Sequence, residues 1–280
     1  MYVEKVSLKD PRAKYQLLES FKNTGFAVLV DHPIDAQLIE DSYTAWKDFF
    51  ASPAKHDYLF NPETQDGYFP MLSENAKGQA LPDLKEFFHY YPHHRIPNAC
   101  QHITQNLHQE LISLAHTLLH WLDEVLPQNI TQNLSQSLSS MARDSQQTLM
   151  RPIHYPPVKD DALLKQGAIR AAAHEDINLI TLLPAASAPG LQVKDTQGNW
   201  HDVSCDPGMI AVNVGDMLQE ATGGHLPSTT HQVINPEQEA MRSSRYSIPL
   251  FVHAKPEVVL SKRYTAKSYL DERLREIGLK

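Results

Sequence analysis

The first half of the chain has apolar positions spaced mainly for helices. Residues 12–24 predict a helix, and the short apolar run at 26–30 predicts a buried strand. Asp35 can cap the next helix and Pro53 ends it, because proline cannot continue a helical hydrogen-bond pattern. This helix carries its apolar residues on one stripe, namely Leu38, Ile39, Tyr43, Trp46, Phe49 and Phe50.

The longest predicted helix follows at residues 103–125. Its apolar residues recur in steps of three and four, and Pro127 ends the pattern. A weaker pattern predicts a second helix at 130–143.

The segment before this helix, residues 61–100, is rich in turn formers, aromatic residues and histidine. We interpret it as a long irregular segment that forms a lid over a site. Its Tyr68 and Phe87 fit two interpretations equally well, contact with a substrate or packing in the core. No motif in the segment identifies a substrate.

From about residue 147 the pattern changes to short strands. Segments of β-branched and aliphatic residues are separated by Pro, Gly, Asn and Asp, which is typical of an antiparallel sandwich or barrel. A last helix is predicted at 265–277. The predicted strands lie near 147–155, 168–174, 178–183, 190–194, 200–203, 209–214, 231–234 and 245–253.

Composition places the chain among ordinary globular proteins. It has 280 residues, 41% of them hydrophobic, and a formal net charge of −8, which argues against nucleic acid or an anionic membrane as partner. Cys100 and Cys205 lie too far apart in sequence to suggest a disulfide framework. The N-terminus has no apolar signal region and no run of 18 apolar residues occurs, so we expect a cytoplasmic location.

A candidate metal site is formed by His174, Asp176 and His231. On a strand, residues two apart point to the same face, and an antiparallel fold can bring a second strand beside them. Two imidazoles and one carboxylate can bind one face of a ferrous ion and leave three positions open. A single HxD motif is about what chance supplies, so the pair alone indicates little.

Arg245 and Ser247 form a second candidate site in a segment that reads as a strand. They share one face, where a guanidinium can bind a carboxylate bidentately and a serine hydroxyl can add a hydrogen bond. The alternative interpretation is an exposed arginine on an edge strand.

Several short motifs stand in one order along almost the whole chain. They are GFAVLVDH at 25–32, GY at 67–68, DLKEF at 83–87, RPIHYPP at 151–157, HEDINLITLL at 174–183, PGLQV at 189–193, NVGD at 213–216 and HQV at 231–233. Their order resembles the isopenicillin N synthase-like family of Fe(II)- and 2-oxoglutarate-dependent oxygenases. Independent motifs in one order are more specific than any single motif.

This resemblance implies a mostly β fold with flanking helices, whose core is a double-stranded β-helix, a cupin-like jelly roll. It implies a single oxygenase domain over 1–280. Within it, 1–145 is a helical N-terminal part with a first strand and the lid, 146–255 is the jelly-roll core, and 256–280 is a C-terminal helix.

The resemblance also implies roles for the candidate residues. The histidine pair and Asp176 would bind Fe(II), and Arg245 and Ser247 would bind the distal carboxylate of 2-oxoglutarate. Tyr155 stands where the family has a tyrosine that also reaches the cosubstrate. Two positions depart from the family pattern: Ile153 replaces an asparagine near the cosubstrate, and Gln232 replaces a basic residue after the second histidine.

The implied function is a non-haem Fe(II)- and 2-oxoglutarate-dependent dioxygenase. It would use molecular oxygen to hydroxylate or desaturate a small-molecule substrate and would convert 2-oxoglutarate to succinate, with ascorbate as a reductant. Three alternatives stay open at this point: an oxidase that uses Fe(II) and oxygen without 2-oxoglutarate, a non-catalytic metal-binding β-barrel, and a zinc hydrolase. The sequence predicts neither the substrate nor the oligomeric state.

Overall fold

The computed structural model describes residues 3–73, 83–157, 169–235 and 243–276. The N-terminal part contains β1 (Lys5–Ser7), α1 (Ala13–Thr24), β2 (Phe26–Val30) and α2 (Ala36–Ala51). These bounds confirm the predicted helices and strand. Asp35 caps α2, since its carboxylate accepts a hydrogen bond from the Gln37 amide at 3.0 Å.

Gly25 forms the tight connection between α1 and β2. Its φ of 68° is left-handed, a conformation that glycine adopts without strain. A Cβ at this position would lie 2.3 Å from the Thr229 hydroxyl oxygen. The glycine therefore lets the chain pass closely by the segment that leads to His231.

The segment predicted to be irregular contains two strands, so that prediction was wrong. After a 3₁₀ helix (Pro53–Tyr58) come β3 (Gly67–Phe69) and β4 (Glu86–His89), which pair antiparallel. The composition of this segment favours turns, but pairing with a strand from the second half of the chain (Ile153–Tyr155) stabilises β4 as a strand.

The long helix α3 (Asn98–Val125) is confirmed and begins five residues earlier than predicted. The single helix predicted at 130–143 was wrong, because two short helices stand there, α4 (Gln128–Thr131) and α5 (Leu138–Ala142). Asp123 in α3 explains the break. Its carboxylate accepts hydrogen bonds from the amides of Leu138 and Ser139 and so fixes a new helix start.

The second half contains the predicted short strands. They are β5 (Leu149–Met150), β6 (Ile153–Tyr155), β7 (Ala171–His174), β8 (Ile180–Pro184), β9 (Leu191–Lys194), β10 (Trp200–Asp202), β11 (Ile210–Val214), β12 (His231–Val233), β13 (Arg245–Ser247) and β14 (Leu250–Val252). Among the described residues of this half, two helices are present, α6 (Asp216–Ala221) between β11 and β12, and α7 (Ala266–Glu276) after β14.

The strands form three sheets. A six-stranded sheet has the order β1-β2-β11-β8-β14-β5, and two four-stranded sheets have the orders β10-β9-β12-β7 and β13-β6-β4-β3. Strand pairs are antiparallel except β1 with β2. This arrangement is the sheet-rich jelly roll that the sequence predicted, with helices packed on one side.

Alternating side chains give the six-stranded sheet two buried faces. In β2, Ala27 and Leu29 belong to the hydrophobic cluster shared with the helices, and Phe26 and Val28 belong to a second cluster shared with the four-stranded sheets. Burial on both faces explains why β2 reads as a continuous apolar run. The candidate site lies beside the second cluster.

The same alternation decides the role of two aromatic residues in the predicted lid. Tyr68 packs in the helix-side cluster and Phe87 in the inner cluster, and both are buried. The packing interpretation is therefore confirmed for both. Both cysteines are free thiols, and no described helix is long and apolar enough to cross a membrane.

Candidate metal centre

The three candidate metal ligands converge at the edge of one four-stranded sheet. His174 is the last residue of β7 and His231 is the first of β12, and the two are directly paired across these antiparallel strands. Asp176 lies two residues beyond β7, in the following turn rather than on the strand. The same-face geometry of residues two apart on a strand therefore does not apply to this pair, although the side chains do meet.

The ligand atoms are close enough to bind one cation. Nε2 of His174 lies 3.8 Å and Nε2 of His231 lies 3.7 Å from Oδ1 of Asp176. One atom from each of the three side chains lies within 4.8 Å of the others. Two imidazoles and one carboxylate on one side of a metal suit Fe(II) and leave the opposite positions open.

Backbone carbonyls orient both imidazole rings. Nδ1 of His174 lies 2.7 Å from the carbonyl oxygen of Ala172, and Nδ1 of His231 lies 3.1 Å from that of Thr229. A carbonyl only accepts, so each Nδ1 carries the proton and each Nε2 presents its lone pair to the site. This is the tautomer that metal binding requires.

Two side chains hold the other oxygen of the Asp176 carboxylate. Oδ2 accepts hydrogen bonds from the Thr181 hydroxyl at 2.6 Å and from the Asn213 amide at 2.8 Å. Asn178 donates in turn to the Thr181 hydroxyl at 2.9 Å. These bonds leave Oδ1 to face the two imidazoles.

Burial controls the charge of these groups. Burial, with a smaller contribution from His231, lowers the pKa of the His174 imidazole to about 4, which keeps this ring neutral at neutral pH. Burial acts to raise the pKa of Asp176, but the imidazoles and its hydrogen-bond donors outweigh burial, so the pKa lies below its usual value. A neutral histidine and an ionised aspartate are the forms that bind a divalent cation.

The DLKEF motif supports the candidate metal centre from the segment that leads into β4. Asp83 accepts a hydrogen bond from the Ala172 amide at 2.9 Å, and Lys85 pairs with the same carboxylate at 2.8 Å. Asp83 therefore anchors the backbone of the residue whose carbonyl orients the His174 ring. The sequence showed this motif but gave no role to Asp83.

The NVGD motif has a similar supporting role. Asn213 provides one of the donors to Asp176, and Gly215 lies against the loop after β7. A Cβ at Gly215 would lie 2.2 Å from the Asn178 carbonyl oxygen, so only glycine permits this approach.

The predicted cosubstrate residues lie together on two paired strands. Arg245 and Ser247 of β13 stand opposite Tyr155 and Ile153 of β6. The Arg245 guanidinium lies 5.0 Å from the centre of the Tyr155 ring, and all four residues are buried. The exposed-arginine interpretation is therefore wrong.

The Arg245 side chain has an open donor. Its Nε donates to the Ala188 carbonyl at 2.9 Å, but among the described residues no acceptor lies within reach of its buried Nη1. A buried cationic donor without a partner fits an acidic ligand such as the distal carboxylate of 2-oxoglutarate.

The two departures from the family pattern have different positions. Ile153 packs in the inner cluster beside the cosubstrate residues, so it offers only apolar contact there. Gln232 donates to the side-chain oxygen of Gln192 on the neighbouring strand at 3.0 Å. It lies between the inward-facing His231 and Val233, so its side chain points away from the metal ligands.

A cavity of about 660 Å³ opens beside the metal ligands. Its walls come from the 63–69 and 83–94 regions, which supports the location predicted for a substrate-contacting segment, and also from α7. The helix α7 contributes Leu270, Arg273, Leu274 and Glu276. Arg151 lies between two phenyl rings, 4.7 Å from Phe87 and 5.4 Å from Phe251, and faces this cavity.

A hydrogen-bond network that the sequence did not predict joins the strands behind the cosubstrate residues. His154 contacts the Glu86 carboxylate at 2.7 Å and the Ser244 hydroxyl at 2.9 Å through its two ring nitrogens. Glu86 also accepts from Lys55 at 2.8 Å and from Tyr68. Because Ser244 precedes Arg245, the network ties the start of β13 to β6 and β4.

Comparison with known families and solved structures shows which proteins this chain resembles. Residues 145–254 match the 2OG-Fe(II) oxygenase superfamily, and residues 5–110 match the family described as non-haem dioxygenase in morphine synthesis N-terminal. A crystal structure assigned as an oxygenase from Shewanella oneidensis is 48% identical, covers 100% of both chains and has a TM-score of 0.90. One assigned to the 2OG-Fe(II) oxygenase family from Caulobacter crescentus is 32% identical over 99% of both chains, with a TM-score of 0.80.

The chain belongs to the 2OG-Fe(II) oxygenase superfamily. Among characterised proteins, the 2-oxoglutarate-dependent dioxygenase citB of Monascus ruber is 27% identical over 254 residues, which are 82% of this chain and 74% of that protein. The prediction of a jelly-roll oxygenase that uses Fe(II) and 2-oxoglutarate is confirmed. The oxidase, zinc hydrolase and binding-module alternatives lose their support.

Proposed function

We propose that this oxygenase binds Fe(II) through His174, Asp176 and His231 and oxidises a small organic molecule by hydroxylation or desaturation. The observation that carries the proposal is the convergence of two Nε2 atoms on Oδ1 of Asp176. The remaining polar atoms of these three side chains are already held by other groups. Such preorganisation is expected of a metal site, whose ligands are oriented by bonds to their outer polar atoms.

Each ligand has a defined task in this proposal. The two neutral imidazoles offer lone pairs, and the Asp176 carboxylate offsets part of the metal charge. When bound, Fe(II) and 2-oxoglutarate together supply the oxidising chemistry, with conversion of 2-oxoglutarate to succinate. The protein contributes orientation and excludes water from the buried side of the site.

Arg245, Ser247 and Tyr155 are proposed to hold the distal carboxylate of 2-oxoglutarate. The Ala188 carbonyl fixes the Arg245 side chain, and the Tyr155 ring packs against its guanidinium. The open Nη1 can then donate to a carboxylate oxygen, a charge-assisted bond that is stronger than a neutral one.

The 660 Å³ cavity is proposed to bind the substrate. Its volume is typical of sites for small molecules, and it adjoins His174 and Asp176. Phe69, Tyr91 and Phe251 line it together with the flat Arg151 guanidinium, so a planar or polar small molecule fits better than a flexible hydrocarbon. Leu270 of α7 lines another side, which supports a role for the C-terminal helix in substrate binding.

Succinate formation from 2-oxoglutarate under oxygen, with ferrous iron, tests the proposal. We expect slow turnover alone and faster turnover when the correct substrate is found in a panel of small aromatic and heterocyclic compounds. The single-domain arrangement, the cytoplasmic location and the use of ascorbate as a reductant stay predictions. If the iron-loaded protein neither bound 2-oxoglutarate nor released succinate, the proposal would be wrong.

A further inference from the structure

A second buried arginine lies near Arg245. Arg170 stands immediately before β7, and its side chain is as deeply buried as that of Arg245, with 1% and 2% of their surfaces exposed. Its Nη2 donates to the Ser243 carbonyl at 3.0 Å, and its buried Nε has no acceptor among the described residues. Each arginine is thus fixed by one backbone carbonyl and keeps an open donor.

The contact with Ser243 brings the two guanidinium groups into one region. Ser243 precedes Arg245 by two residues, which is about 7 Å along an extended chain. Burial is the main cause, and the Arg245 charge the second, of a pKa of Arg170 below its usual value. Both side chains remain cationic, because guanidinium groups do not lose their proton in proteins.

Two buried cations without a counter-charge are unfavourable. None of the ion pairs found between described residues involves Arg170 or Arg245. An unpaired buried charge costs several kcal/mol, and packing on the Tyr155 ring offsets only part of this. We therefore expect an anion to bind beside Arg170 and Arg245 when the protein functions.

The anion expected here differs from a substrate in the large cavity. The described walls of that cavity include Arg151 and Arg273 but neither Arg170 nor Arg245. The two buried arginines lie instead beside Tyr155 and the β6–β13 pair. A ligand that reaches from the metal ligands to this pair must carry an acidic group at its far end.

We propose that Arg170 binds the distal carboxylate of 2-oxoglutarate together with Arg245, so that one carboxylate receives hydrogen bonds from two guanidinium groups. This inference rests on the proposed function. It assigns a direct cosubstrate contact to a residue outside the Arg245–Ser247 motif. The arginine pair would also select for 2-oxo acids that carry a distal carboxylate, because a 2-oxo acid without this group would leave two buried cations unpaired.

Calorimetric titration of the Mn(II)-loaded protein with two ligands tests this inference without turnover. One ligand is 2-oxoglutarate, and the other is 2-oxopentanoate, which has a methyl group in place of the distal carboxylate. The variants are Arg170→Gln and Arg170→Lys, with Arg143→Gln as the matched control, because Arg143 is exposed. Thermal unfolding of each ligand-free variant shows whether it is folded.

We expect Arg170→Gln to weaken 2-oxoglutarate binding at least tenfold and to leave 2-oxopentanoate binding unchanged, so that the preference between the ligands shrinks. Arg170→Lys keeps the charge and should lose less, and the Arg143 control should bind like the wild type. Equal weakening of both ligands, which a purely structural role predicts, would overturn the inference, as would no change with either. Absence of 2-oxoglutarate binding by the wild type would instead refute the proposed function, and the inference with it.

Discussion

The metal ligands and the buried arginine pair differ in how completely the protein satisfies them. At His174, Asp176 and His231, each side chain has its outer polar atom bound and turns one atom toward a common point. At Arg170 and Arg245, one nitrogen of each guanidinium is bound and another buried nitrogen has no acceptor among the described residues.

This difference fits what the three candidate metal ligands and the two buried arginines are proposed to bind. A small cation needs a fixed set of lone pairs, so the protein orients each donor in advance. A dicarboxylate brings its own charge and its own acceptors, so the protein leaves buried donors open and depends on the ligand to satisfy them. One region is therefore preorganised, and the other is complete only with its ligand bound.

The largest expected effect follows from removing the central ligand of the metal region. Asp176→Ala takes away the atom on which both imidazoles converge, so we expect iron binding and succinate formation to fall more than about 100-fold, beyond the loss typical of a supporting residue. Metal content and succinate release are the measurements. Asp202→Ala is the control, since this exposed carboxylate lies on β10.

The next largest effect is expected at the buried arginine pair. Arg245→Gln removes the charged donor, and we expect the Kd for 2-oxoglutarate to rise roughly 10- to 100-fold, since a hydrogen bond to a charged group contributes about 1.5–3 kcal/mol. Iron affinity without 2-oxoglutarate should not change. An equal loss of iron affinity would show that the two regions are not separate.

A smaller effect is expected from a residue that only supports the metal region. Asn213→Ala leaves Oδ2 of Asp176 with the Thr181 hydroxyl alone, so iron affinity should fall about tenfold. Competition with a chelator measures this change. If iron affinity stayed at the wild-type value, the orientation of the carboxylate would not depend on Asn213.

The smallest effect on catalysis is expected from Glu86, which lies on β4 and contacts His154 of the neighbouring strand β6. Glu86→Gln weakens a buried network with His154 and Lys55, and we expect the free energy of unfolding to fall by about 1–3 kcal/mol. Urea unfolding measures this loss. Glu19→Gln breaks only an exposed ion pair with Lys22, and its loss should stay below about 1 kcal/mol.

The sequence predicted the metal region more fully than the arginine region. The HxD motif and His231 carry their own chemistry, and a simple antiparallel pairing brings them together. Asp176 lies beyond the end of β7, and residue spacing alone does not show how the chain turns there to bring its carboxylate beside the imidazoles.

Arg170 escaped prediction because nothing in its local sequence marks it. Its burial depends on contacts with Ser243, 73 residues away. Glu86 and Asp83 stood in a recognisable motif, but their partners His154 and Ala172 become neighbours only when distant strands pair. The strands within 61–100 were missed for the same reason, since β4 is stabilised by pairing with β6.

The most direct test of the central claim is an anaerobic titration of the Fe(II)-loaded protein with 2-oxoglutarate, followed by its visible charge-transfer band. We predict that the band appears with the wild type and with Asp202→Ala and is absent with Asp176→Ala at the same iron concentration. A band of wild-type intensity in Asp176→Ala, or no band in the wild type, would contradict the assignment of His174, Asp176 and His231 as the iron ligands of a 2-oxoglutarate-dependent oxygenase.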